Sequence, residues 1–313
     1  MALSSCRKAG RTLARFATAA LAVALVGTTA GTATADDFGA ARAAAKGTKP
    51  ATSQQAPGAA PYRSTAVGQA PIFPLFTVNR SGDLFVYQPD FRGGLEDREV
   101  LSRGEWKDFT AATQVDHDQD GDKDGVYTRV KDGSLLFVNQ YGGVKRIGGG
   151  WNIYDRIMSP GNLAGQKQSD ILARDKSGVL WMYMAYEDGT LTGRYKVGGG
   201  WGQYTDIAGV GDLDGDGYTD IVAKDRAGVL WLYKGNGRVG DGFQDRTRIG
   251  GGWNAYDHLV SVGDLDRDGR SDLLARDKTG ALWLYKGNGN GKDPFDRRVK
   301  IGNRGWDQYR LMF

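Results

Sequence analysis

The sequence predicts an all-β fold, a five-bladed β-propeller of four-stranded blades, and three observations carry that expectation. A turn-strand unit recurs five times, as SGDLFVY at 81–87, DGSLLFV at 132–138, SGVLWMY at 177–183, AGVLWLY at 227–233 and TGALWLY at 279–285. Its glycines, Gly82, Gly133, Gly178, Gly228 and Gly280, stand 51, 45, 50 and 52 residues apart, a period that marks a repeat architecture. The third observation lies at the ends. The first repeat opens on a second strand, Ile72 to Val78, and the chain closes on Tyr309–Phe313, which aligns with the first strand beginning at Tyr256. One end thus supplies the strand that the other lacks, and a ring closed in this way leaves no open blade edge.

Residues 1–35 read as a secretory leader. Arg7, Lys8, Arg11 and Arg15 precede an apolar stretch from Phe16 to Val26, and Ala33-Thr34-Ala35 offers a small-residue cleavage pattern. The stretch is too short to span a bilayer, and no later segment offers the ~20 apolar residues that a transmembrane helix needs. Cys6 lies inside the leader, so the exported chain has no disulfide and must gain its stability from packing and bound metal. Residues 36–70, rich in Ala, Pro, Gly, Ser and Thr, read as a flexible tether in which only a short helix over Ala40 to Lys46 is conceivable. The propeller then occupies 71–313.

Each full repeat holds four candidate strands, in the best copy roughly His258 to Gly263, Asp272 to Arg276, Ala281 to Tyr285 and Arg297 to Ile301. Asp175, Asp225 and Asp277, three residues before a repeat glycine, suit the first position of a type I turn. In the third strand Val229, Trp231 and Tyr233 alternate with Leu230 and Leu232, so both faces are apolar and each needs a neighbouring blade. By the same pattern Trp181, Trp231 and Trp283 read as core.

Between the first and second strands runs an acidic loop. It appears in full as Asp116-x-Asp118-x-Asp120-Gly121-Asp122-x-Asp124, Asp212-x-Asp214-x-Asp216-Gly217-Tyr218-x-Asp220 and Asp264-x-Asp266-x-Asp268-Gly269-Arg270-x-Asp272. Carboxylates at positions 1, 3, 5 and 9, a glycine at 6 for the reversal and the main-chain carbonyl of position 7 (Asp122, Tyr218, Arg270) form an oxygen cage for one hard cation. Calcium is the expected ion. The loops lack the position-12 glutamate of an EF-hand, and no helical pattern flanks them.

These loops in their surroundings, VGDLDGDGYTDIVAKD at 210–225 and VGDLDRDGRSDLLARD at 262–277, resemble the FG-GAP or VCBS repeats of extracellular propellers and integrin heads. The resemblance implies calcium between the first two strands of a blade. It fails at 162–170, where only Asp170 remains of the carboxylates, and the first blade begins after the loop, so three ions are expected. The recurring IGGGW or VGGGW, the LWLYKG strand and the ending KIGNRGWDQYRLMF are similar to tachylectin-type lectins, five-bladed propellers that bind N-acetylated sugars. That second resemblance implies glycan pockets repeated around the ring.

Charge and residue inventory narrow the functions. Beyond the leader, 37 basic residues balance 37 acidic ones and are scattered through the repeats, which argues against nucleic acid as a partner. With only His117 and His258, no GxSxG elbow, no HExxH and no cysteine beyond the leader, the chain offers no nucleophile-based catalytic set, and a non-enzymatic role is expected. Asp257 and His258, neighbours on a strand, point to opposite faces and form no dyad. Trp151, Trp201, Trp253 and Trp306, each with a tyrosine three residues on, are the candidate carbohydrate platforms, since an aromatic face stacks on a pyranose; equally, they would serve as filling between blades. A secreted lectin-like binder of an extracellular glycan or cell-wall polymer is the first expectation. A protein-interaction or adhesion scaffold is the alternative, and a propeller hydrolase or lyase would require a unique ionisable site that breaks the repeat.

Overall fold

Alternating apolar side chains and regularly spaced turn glycines produce, among the described residues, twenty strands and almost no helix. The computed structural model describes residues 70–313. The leader, the tether up to Gln69 and the short helix expected near Ala40 lie outside the described residues. No described helix is long and apolar enough to cross a membrane.

The strands form five antiparallel sheets of four. Blade 1 is ordered β20 (Tyr309–Met312), β1 (Leu75–Asn79), β2 (Leu84–Tyr87), β3 (Glu99–Ser102). Blade 2 contains β4 (Phe109–Val115), β5 (Gly125–Val130), β6 (Leu135–Asn139) and β7 (Val144–Gly148). Blade 3 runs from β8 (Tyr154–Gly161) through β9 (Asp170–Asp175) and β10 (Leu180–Tyr183) to β11 (Tyr195–Gly198). Blade 4 comprises β12 (Tyr204–Ala208), β13 (Ile221–Asp225), β14 (Leu230–Tyr233) and β15 (Thr247–Gly250), and blade 5 β16 (Tyr256–Gly263), β17 (Asp272–Asp277), β18 (Leu282–Tyr285) and β19 (Val299–Gly302). The first repeat's strand starts at Leu75 instead of Ile72, because Phe73 bonds across to the neighbouring blade, its N–H donating to Val262 O at 2.8 Å.

Closure occurs as the ends of the chain suggested. β20 pairs with β1 in the register Thr77↔Met312 and Val78↔Leu311, and Phe76 and Phe313 exchange backbone bonds of 2.8 and 3.0 Å. The apolar core is divided into five clusters, each between two successive sheets. One joins blade 5 to blade 1 through Leu282, Leu284, Leu75 and Phe85, which makes the ring continuous. The others lie between blades 1 and 2, 2 and 3, 3 and 4, and 4 and 5.

Adjacent blades are also clasped by cations. Arg129 on β5 donates to the carbonyls of Trp151 and Tyr154, Arg174 on β9 to those of Trp201 and Tyr204, Lys224 on β13 to Tyr256 O, and Arg276 on β17 to those of Trp306 and Tyr309. In blade 1 the corresponding second-strand position holds Val78. There Arg310 of β20 makes the bonds, to the carbonyls of Trp106 and Phe109.

Candidate metal centres and surface aromatic clusters

The three complete acidic loops fold alike. Position 1 is the organiser: Asp116 Oδ1 and Oδ2 accept from the amides of Gln119 (2.6 Å) and Gly121 (2.9 Å), Asp212 from Gly215 (2.7 Å) and Gly217 (2.8 Å), and Asp264 from Arg267 (2.6 Å) and Gly269 (2.8 Å). The reversal requires left-handed backbone at the position-6 glycines, with φ of 92° at Gly121, 87° at Gly217 and 89° at Gly269. Position 4 is left-handed too, even where it is not glycine: Gln119 and Arg267 both have φ of 64°. Two non-glycine residues held there mean that the loop shape is imposed by its hydrogen bonds.

The fold brings together the carboxylates of positions 1, 3 and 9. In each of the trios Asp116/Asp118/Asp124, Asp212/Asp214/Asp220 and Asp264/Asp266/Asp272, one oxygen per residue lies within 4.8 Å of the others. The position-5 carboxylates Asp120, Asp216 and Asp268 stand outside the trios; each accepts from the amide two residues on. Burial, reinforced by the neighbouring carboxylates, pushes Asp116 and Asp272 up to about 7, and Asp220 well above its ordinary value. Three converging carboxylates, at least one of them buried and held above its ordinary value in each trio, are what a divalent cation relieves, so the donor set fits calcium.

The loops differ in one respect that spacing did not reveal. Lys234 Nζ lies 2.5 Å from Asp214 Oδ2, and Lys286 Nζ lies 2.6 Å from Asp266 Oδ2. At the first loop the equivalent place, six residues after the repeat glycine, holds Asn139, and the next residue, Gln140, donates instead to the position-9 carboxylate, Asp124 Oδ1, at 3.0 Å. In blade 3, Asp170 is fully buried; Oδ2 accepts from the amides of Leu163 and Ala164 at 2.8 and 2.7 Å, Oδ1 has no partner, and burial pushes the group up to about 7. The loops surround an axial cavity of about 440 Å³ lined by Asp116, Asn162, Asp212, Tyr218 and Asp268.

The two tryptophan sets differ in exposure. Trp151, Trp201, Trp253 and Trp306 are only 7%, 5%, 7% and 9% exposed, so they offer no open platform. Each follows a left-handed glycine and begins a single 3-10 turn, which directs its ring inward against a tyrosine of the third strand, at 4.5–4.7 Å between centroids. They are packing between blades. Trp181, Trp231 and Trp283, expected in the core, are instead only half-buried. Their Nε1 atoms donate to Asp175, Asp225 and Asp277 at 2.8, 2.9 and 2.7 Å, and the guanidinium carbons of Arg194, Arg246 and Arg298 stand 4.1, 4.0 and 4.2 Å from their ring centroids. Although burial alone would raise it, the bonds from Thr279 and Trp283 bring Asp277 down to about 2.

One ionisable cluster interrupts the repeat. Corresponding positions of β8, β12 and β16 carry Arg156, Asp206 and His258 around the bore, lining or adjoining a cavity of about 310 Å³. Asp206 Oδ1 is paired with Arg156, and Oδ2 accepts from Leu259 N at 2.6 Å and lies 3.9 Å from His258 Nδ1. Burial pushes His258 down from its ordinary value. Asp257 indeed turns away, pairing with Arg276 at 2.7 Å.

Comparison with known proteins bears on the repeat. Residues 212–275 match the family model described as an FG-GAP-like repeat. No curated protein matches the chain. Among solved structures, a mutant of AofleA from Arthrobotrys oligospora aligns over 77% of this chain and 76% of its own at 10% identity and a TM-score of 0.45. The BP39L lectin from Burkholderia pseudomallei aligns over 77% and 72% at 15% identity, with a TM-score of 0.45. BBS1N in complex with ARL6DN aligns over 76% and 63% at 11% identity, with a TM-score of 0.36. The chain is a five-bladed β-propeller that carries an FG-GAP-like repeat across its fourth and fifth blades.

Proposed function

We propose that the chain is a secreted, calcium-binding and non-catalytic propeller that binds glycans in the manner of a lectin. The observation that carries the binding reading is the recurrence, in three successive blades, of a partly exposed tryptophan with the same aspartate and arginine around it. Partly exposed tryptophan and fixed arginine are the residue types that dominate recognition surfaces, and here they stand together in three blades. Calcium would be held by the three carboxylate trios, with the main-chain carbonyls of Asp122, Tyr218 and Arg270 as further oxygens. Bound there, it supplies positive charge that fixes the loops. The non-catalytic reading rests on Asp206, whose two oxygens are both engaged by neighbouring blades and so are not placed to act as a base. Exposed Tyr141 and Tyr186, at loop tips of blades 2 and 3, favour a protein partner as a second reading.

A glycan array probed in calcium and again in chelator tests the proposal. Binding to a subset of glycans that weakens in chelator is expected. A protein that melts cooperatively in calcium yet ignores every glycan would move the assignment to protein recognition, and a melting temperature indifferent to chelator would remove the metal.

A further inference from the structure

The outermost strand of each blade gathers basic residues that the linear sequence disperses. Segments 98–102, 144–148, 194–198, 246–250 and 297–302 contain ten Lys and Arg against a single acid, Glu99. Antiparallel pairing places one of these opposite each half-buried tryptophan, in the register Trp181↔Lys196, Trp231↔Arg248 and Trp283↔Lys300. Lys196, Arg248 and Lys300 are exposed. Directly opposed residues project to the same face, so each tryptophan lies between a stacked arginine and a second cation. The tryptophans also pack toward the preceding blade, which places the three assemblies in the grooves between blades 2 and 3, 3 and 4, and 4 and 5.

The arginines in these grooves are held in place. Besides the indole beneath, Nη1 of Arg194 donates to Tyr154 Oη at 3.3 Å, and Nη1 of Arg246 and Arg298 to the hydroxyls of Tyr204 and Tyr256. A guanidinium fixed by stacking and one hydrogen bond loses little freedom on meeting an oxyanion, and its planar fork matches a carboxylate. It also covers the indole face, so a neutral pyranose would have to displace it before stacking. Asp175, Asp225 or Asp277 offsets one of the two positive charges, leaving each groove a net charge of one. The other blades lack parts of the set. Blade 1 keeps Arg98, 4.8 Å from the Phe85 ring, but has Val100 as the opposed residue; blade 2 has Leu136 opposite Arg146 and no aromatic.

Resting on the glycan reading above, we propose that these three grooves are subsites for the carboxylate groups of an acidic polysaccharide, with Arg194, Arg246 and Arg298 as the recognising residues. A flexible polymer can follow the convex perimeter and engage several subsites, which a flat membrane cannot do at once.

The test is retention of the full chain, in calcium, on immobilised polygalacturonate, with chitin, dextran sulfate and double-stranded DNA as comparison probes. The expected result is preference for polygalacturonate, weakened at least tenfold in the triple variant Arg194→Gln/Arg246→Gln/Arg298→Gln and severalfold in the corresponding Arg→Lys variant, which keeps charge but loses the fork. Melting temperatures matched to the parent show that both variants are folded. Equal binding by the Arg→Lys variant, or equal retention on dextran sulfate or DNA, would reduce the grooves to a diffuse basic belt and overturn the proposal. Binding to chitin with polygalacturonate ignored would overturn it while leaving the glycan reading intact. Binding to none of the polymers would overturn both.

Discussion

The lysines at two of the three acidic loops make a quantitative prediction about calcium. Lys234 holds Asp214 at 2.5 Å, and its ammonium is kept protonated by that bond, so a calcium ion entering the trio meets a resident positive charge. Asp214 is nearly buried and the lysine about a quarter exposed, so the contact is partly screened by solvent. For an ion of charge two at roughly 5 Å from the ammonium, even water-like permittivity gives a repulsion of about 1.7 kcal/mol. Replacing Lys234 by Gln, which removes the charge and keeps a polar end, should therefore tighten calcium at the proposed site of the second loop about tenfold. Stripping the ion should show the opposite sign: without calcium the variant has lost the cation that compensates Asp214 and should melt lower than the parent. Calorimetric titration of the chelated protein, with melting curves in calcium and in chelator, reads both effects. Unchanged or weaker calcium affinity in Lys234→Gln would refute the argument, as would a higher melting temperature in chelator.

Three further outcomes are expected. Asp170 has a folded pKa of about 7, above its unfolded value, so its favourable contribution is complete below about pH 4 and is lost as pH rises through 7, a change of ~4 kcal/mol at most. In saturating calcium, denaturant titrations at pH 5 and pH 8 should show Asp170→Asn flattening that loss; equal pH dependence in parent and variant would contradict it. Trp201→Ala should cost about 3–5 kcal/mol by emptying the contact between blades 3 and 4, whereas Trp231→Ala should cost much less, and equal losses in thermal melts would deny the difference in burial. Arg310→Ala strands the carbonyls of Trp106 and Phe109 and should lower stability by roughly 2–3 kcal/mol, measurable by urea unfolding; a neutral variant would show that the clasp at blade 1 is dispensable.

Blade number, strand count and closure were legible in the sequence because each rests on a local periodic signal: a turn glycine every fifty residues or so, and two-faced apolar strands. The acidic loops were legible for the same reason, since their carboxylates lie within nine residues, but the spacing included position 5, which the fold leaves outside each trio. What escaped was whatever depends on side chains from different strands. A tryptophan in an alternating strand reads as core, yet Trp231 is half-open because its blade face meets the neighbour only in part, and the arginine that covers it comes from the next strand. For Trp201 the sequence left a sugar platform and filling between blades both open, and it is the left-handed Gly200 that turns the ring inward. Lys234 and Lys286 lie about twenty residues from the carboxylates they pair, and only the return of β14 and β18 to the loop face brings them there. The belt of basic residues was hidden in another way: equal totals of acid and base conceal that the outermost strands hold nearly all of one sign.

The exchange of Val78 for Arg310 at the blade 1 clasp also affects the order in which the protein matures. At four junctions the clasping residue precedes the carbonyls it holds by only about 20–35 positions, so each pair of blades can lock soon after it emerges from the ribosome. At the fifth junction the cation follows its acceptors by about two hundred positions, on the strand that also closes the sheet. Until that strand arrives, blades 1 and 2 are joined without their bolt and the edge of β1 is bare, an arrangement that invites pairing with another chain. The interval between synthesis of blade 1 and arrival of β20 is then the period when a partly made ring is most exposed to misassembly, and slowing elongation between residues 80 and 300 should lengthen it.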